Sequence, residues 1–125
     1  MAGEPILVVD DNATNLKLTK IVLANEGYRV ETAMNAEEAT HKMKNEGFKP
    51  RLILMDIQLP GMDGLTFTRQ LKSAPETKGI VVVALTAYAM KADEEKALAA
   101  GCDGFIAKPI DTQAFPSQIA GYLKR

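Results

Sequence analysis

Leu52-Ile53-Leu54-Met55-Asp56 is a run of four apolar residues closed by a carboxylate. A strand with one wet face alternates apolar and polar side chains. A strand that is oily at every position is covered on both faces, as in a parallel sheet held between helices. The same signature recurs at Ile6-Leu7-Val8-Val9, which runs into Asp10-Asp11, and at Ile80 to Leu85, which runs into Thr86. Two weaker stretches complete the set. Tyr28 to Thr32 alternates, with Tyr28 and Val30 set against Arg29 and Glu31, and Gly104 to Ala107 is short and less oily. Both suit the edges of a sheet.

Helical patterns fill the gaps. Asn12 to Glu26 carries Leu16, Leu18, Ile21, Val22 and Leu23 on a broad stripe, with Gly27 to end it. Asn35 is placed to cap a helix through about Glu46, with Ala36, Ala39 and Met43 on one face. Asp63 to Lys72 and Lys91 to Ala100 are further helices, the second closed by Gly101. Asp111 is placed to cap a last helix bearing Phe115, Ile119 and Leu123, with Pro116 delaying its start or disturbing its first turn.

Strand then helix, repeated, requires parallel strands with right-handed crossovers and helices on both faces. A closed eight-stranded barrel needs about 250 residues, and the chain has 125. The expected architecture is therefore a single α/β domain over residues 1–125. It is a flavodoxin-like, doubly wound, five-stranded parallel sheet in the order 2-1-3-4-5, with five helices. That order puts the oily strands inside and the weaker two at the edges.

Composition narrows the function classes. A formal net charge of −1 argues against bulk attraction to nucleic acid, and no apolar run is long enough to span a membrane. No signal-peptide pattern opens the chain, so a cytoplasmic location is the default. One cysteine, Cys102, excludes an internal disulfide, and one histidine, His41, makes a zinc site or a Cys–His nucleophile pair improbable. His41 is read as a surface residue.

In open α/β sheets ligands bind beyond the carboxyl ends of the strands, where the strand order reverses. Here that point lies between the strands ending in Asp10-Asp11 and in Asp56. Thr86 and Lys108 end the fourth and fifth strands. Three carboxylates at ~4 Å repel by roughly 4 kcal/mol per pair at an effective dielectric near 20. Asp10 and Asp11 could instead serve to cap the first helix. With Asp56 beside them a hard divalent cation is the stronger reading, and Mg²⁺ takes carboxylate, phosphate and water oxygens. A lysine and a hydroxyl nearby suit phosphoryl transfer.

These residues carry a resemblance. Val8-Val9-Asp10-Asp11-Asn12, Leu54-Met55-Asp56 through Pro60-Gly61-Met62-Asp63-Gly64, Leu85-Thr86-Ala87 and Ala107-Lys108-Pro109 resemble the response-regulator receiver domain over essentially the whole chain. The resemblance implies that Asp56 accepts a phosphoryl group from a phosphohistidine on a histidine kinase or histidine phosphotransfer protein. It implies Asp11 as a direct Mg²⁺ ligand (Mn²⁺ substituting), Asp10 acting through water, and the backbone carbonyl of Gln58 completing the protein ligands. It implies Lys108 on the phosphoryl oxygens, a cis Lys108–Pro109 bond, and Thr86 and Phe105 as switch residues. Phe105 stands where the family often has tyrosine, so signalling through a hydroxyl of that side chain is lost. A downstream protein is expected on the face of helix four, strand five and helix five. Gln58 and Tyr88 flank the pocket and are expected to tune loss of the phosphoryl group.

On this reading the chain is a signalling phosphoacceptor, not an enzyme with separate substrates. The residues around Thr86 to Asp93 and Lys108 to Asp111 look like receivers of hybrid kinases and stand-alone phosphorelay regulators. Met1 favours a stand-alone protein over a receiver excised from a hybrid kinase. A competing class is a Mg²⁺-dependent small-molecule phosphatase, which would turn over phosphate esters steadily. A flavodoxin-like electron carrier would be coloured, and its first loop would not be acidic.

Overall fold

The oily segments lie side by side. The computed structural model describes residues 3–56, 64–86, 91–107 and 110–124, with backbone alone at 86 and 91–93. In it, strands β1 (Pro5–Val9), β2 (Arg29–Ala33), β3 (Leu52–Asp56), β4 (Val81–Thr86) and β5 (Gly104–Ala107) form one parallel sheet in the order β2-β1-β3-β4-β5. The crossovers contain helices α1 (Ala13–Asn25), α2 (Ala36–Lys44), α3 (Gly64–Ser73) and α4 (Lys91–Ala100), and α5 (Phe115–Leu123) follows β5. This is the expected fold class and strand order.

The period of two along each strand sorts the core into two layers. Ile6, Val8, Leu52, Leu54, Val83, Leu85 and Ile106 cluster with Leu16 and Leu23 of α1 and Phe115, Ile119 and Leu123 of α5. Leu7, Val9, Ile53, Met55, Val82 and Ala84 cluster with Ala36 and Ala39 of α2, Phe67 and Leu71 of α3, and Ala97 of α4. Each fully buried Leu, Ile or Val stabilises by about 1.5–3 kcal/mol, which is why β1 and β3 tolerate no polar residue before their ends.

One detail departs from the sequence reading. On α1 the buried residues are Leu16, Thr19 and Leu23, while Leu18 and Ile21 are 42% and 49% exposed. At about 100° per residue, Leu18 and Ile21 fall about 200° and 140° around the helix from Leu16, and Leu23 returns to within about 20° of it. A helix lying on a sheet buries the narrow stripe, not every apolar residue. Asp111 makes the bonds of a cap to the turn that leads into α5. Its carboxylate accepts the N–H groups of Gln113 and Ala114 at 2.9 and 3.3 Å and its carbonyl accepts the Phe115 N–H at 2.8 Å, and regular α5 begins late at Phe115 with Pro116 in its first turn, as expected. The late start fits the ring of Pro116, which suits an opening helical position and no interior one.

The pole where β4 and β5 begin is held by a clasp. Lys72 of α3 donates to the Ile80 carbonyl and to Asp103 Oδ2, both at 2.7 Å, and that same oxygen accepts the Val82 N–H at 2.9 Å. The stem of Lys72 runs over Gly101, where a Cβ would lie 2.9 Å from Lys72 Cγ and where φ is +107°. Glycine is required there on both counts. Lys72→Met keeps the stem and removes the ammonium. It is expected to destabilise the fold by about 1–3 kcal/mol, with water at Asp103 limiting the loss. A lower urea midpoint at unchanged slope is the measurement.

Candidate metal centre

In the β1–β3 register Val9 faces Met55, so Asp10 and Asp56 are the next residues along two adjacent strands. Both continue the parity of Val8 and Leu54, which share one side of the sheet. Asp11 joins from the turn into α1. Oxygens of Asp10, Asp11 and Asp56 all lie within 4.8 Å of one another. Asp10 is 1% and Asp56 6% exposed, whereas Asp11 is open to solvent.

The local chain explains why the aspartates are available. Asn12 caps α1, its side-chain oxygen accepting the Asn15 N–H at 3.0 Å. The capping role open to Asp10 and Asp11 thus falls to their neighbour. One oxygen of Asp10 accepts the Asn12 N–H at 2.9 Å, which fixes its rotamer. The positive end of α1 begins here too and favours negative charge.

The group fits a hard cation. Two buried carboxylates and one exposed carboxylate supply only oxygen donors. The trans ligands of an octahedral Mg²⁺ are about 4 Å apart, given bonds of 2.0–2.1 Å. The carboxylate oxygens lie within 4.8 Å of one another, close to that reach, and exposed Asp11 has room to draw in. Without a cation, like charges at this spacing cost roughly 3–4 kcal/mol per pair at an effective dielectric near 20.

The other strand ends reach the same pole. Asp56 pairs with Leu85, and the backbone of Thr86 pairs with Ala107, the residue before Lys108. Gln58, Tyr88, Lys108, Pro109 and the Thr86 side chain lie outside the described residues. Phe105 is partly buried against the α2–α3–α4 layer. His41 is on the surface, 3.5 Å from Glu46. Cys102 is buried beside Thr68, and desolvation pushes its thiol pKa up from 9.0, which suits an inert core residue.

Residues 6–120 match the model of the response regulator receiver domain family. The chain belongs to that family. This receiver is 41% identical, over 94% of both chains, to the polar-differentiation response regulator DivK of Brucella anthropi. The receiver domain of a sensor histidine kinase from Pseudomonas aeruginosa superposes with a TM-score of 0.87 at 31% identity, over 99% of this chain and 100% of that one. That structure has a magnesium ion coordinated in its active-site cleft. A response regulator from Chloroflexus aurantiacus gives a TM-score of 0.91 at 29% identity, covering 98% of this receiver and 99% of its own chain. Among the described residues no helix is long and apolar enough to cross a membrane.

Sequence reasoning missed Tyr122. Its hydroxyl lies 3.4 Å from the amide nitrogen and 3.5 Å from the carbonyl oxygen of Phe105, accepting from one and donating to the other. Its ring fills the space beside Gly104. Nothing in the spacing of Gly104 and Tyr122 announces a contact that only the return of α5 along β5 creates.

Proposed function

We propose that this receiver takes a phosphoryl group onto Asp56 from the phosphohistidine of a histidine kinase or histidine phosphotransfer protein. The convergence of Asp10, Asp11 and Asp56 within 4.8 Å carries the reading. Asp10, Asp11, Asp56 and the Gln58 carbonyl would hold Mg²⁺, or Mn²⁺ in its place. The bound ion would offset the negative charge of the carboxylates and of the phosphoryl oxygens. An Asp56 oxygen attacks phosphorus, the phosphorus–nitrogen bond breaks, and the imidazole leaves with the electron pair and takes a proton. The product is an acyl phosphate carrying about −1.5 to −2 charge.

Lys108 would pair with the phosphoryl oxygens, and the Thr86 hydroxyl would donate to them. A state in which Thr86 and Phe105 have closed on the phosphate is favoured only by contacts it makes and the resting state lacks. The downstream protein would read the α4–β5–α5 face, where Leu98 is 52% exposed. Gln58 and Tyr88 would set how fast water removes the phosphoryl group.

Acetyl phosphate with Mg²⁺ is expected to add the mass of one phosphoryl group to the intact chain. The label should be lost to hydroxylamine and should not form in the presence of a chelator. An unlabelled chain under these conditions rejects the proposal.

A further inference from the structure

Phe105 sits in β5, an edge strand paired only with β4, opposite Ala84. Its side chain packs into the α2–α3–α4 layer. Its backbone is held from elsewhere: one hydroxyl, that of Tyr122 in α5, meets both its N–H and its carbonyl. The Tyr122 ring is fixed independently of that hydroxyl. It lies so close over Gly104 that a Cβ there would be 2.2 Å from Tyr122 Cε1.

These contacts form a latch with unequal parts. The ring contact is tight. The hydroxyl bonds, at 3.4 and 3.5 Å, are longer than the usual N–H···O and O–H···O distances and are cheap to break. A turn of the Phe105 peptide therefore changes the hydroxyl's partners before it disturbs the ring. Phe105 has no hydroxyl of its own, and α5 supplies one to the same residue's backbone.

We propose that Tyr122 is a positioning residue that passes a change at Phe105 into α5. This regulatory role rests on the phosphoacceptor reading of Asp56, because phosphorylation is the event that would move Phe105.

Tyr122→Phe removes the hydroxyl and keeps the ring over Gly104. By nitrogen-15 NMR of the resting full chain, the Phe105 amide should exchange with solvent about fivefold faster in the variant, with Ile106 unchanged. With Mg²⁺ and acetyl phosphate, intact mass should report equal phosphoryl uptake by both proteins. The shift response of the α5 amides should nevertheless fall by about half or more in the variant. Unchanged Phe105 exchange, or a full α5 response in phosphorylated Tyr122→Phe, overturns the proposal. No phosphoryl uptake by the wild type overturns the phosphoacceptor reading and this role with it, and the mass measurement tells that failure from a failure of the latch alone.

Discussion

Asp56→Asn is expected to take up no phosphoryl group from acetyl phosphate, and to be more heat-stable than the wild type when divalent ions are absent. The first effect is complete because the amide has no carboxylate oxygen to form the acyl phosphate. The second follows from the cluster itself. Asp56 is buried beside buried Asp10 and near exposed Asp11, so the substitution removes two like-charge pairs. Screening at Asp11 and the bonds Asp56 already makes reduce the gain to about 1–2 kcal/mol, or about 3–8 °C for a chain of this size. Adding Mg²⁺ should raise the wild-type midpoint more than that of the variant, since linkage rewards only the state that binds. Intact mass and thermal unfolding, with and without chelator, check both halves. A labelled variant would place the nucleophile elsewhere.

Gly104→Ala is expected to be costly for a change of one methyl group. The added Cβ would sit 2.2 Å from Cε1 and 2.4 Å from Cζ of Tyr122, with φ at Gly104 outside the left-handed region, so crowding and not backbone strain is the cause. Overpacking of this kind costs about 1–3 kcal/mol. The diagnostic is non-additivity. Tyr122→Ala alone forfeits the partly buried ring, but the double variant Gly104→Ala with Tyr122→Ala no longer contains the clash. It should recover at least about 1 kcal/mol relative to the sum of the singles, within the range of coupling for touching residues. Additive urea midpoints would mean that the ring moves aside freely.

Much of this architecture was legible in the residues. Runs such as Leu52 to Met55 are readable because a strand buried on both faces admits no polar residue, and Arg29 against Val30 betrays an edge. The acids were legible because strand ends at a switch point must meet. Less legible were features set by tertiary geometry. Leu18 and Ile21 look like core until the helix phase is fixed by the sheet it lies on. The Tyr122–Phe105 contact and the Lys72–Asp103 clasp join residues 17 and 31 apart in sequence, with no periodic signal to link them.

Because the Asn12 side chain closes the first turn of α1, that cap does not call on the exposed carboxylate of Asp11. Inherited variants could therefore lose Asp11 and keep the first helix as it stands. A descendant without that carboxylate would keep the scaffold while the proposed phosphoryl transfer fell silent, leaving shape as its only signal.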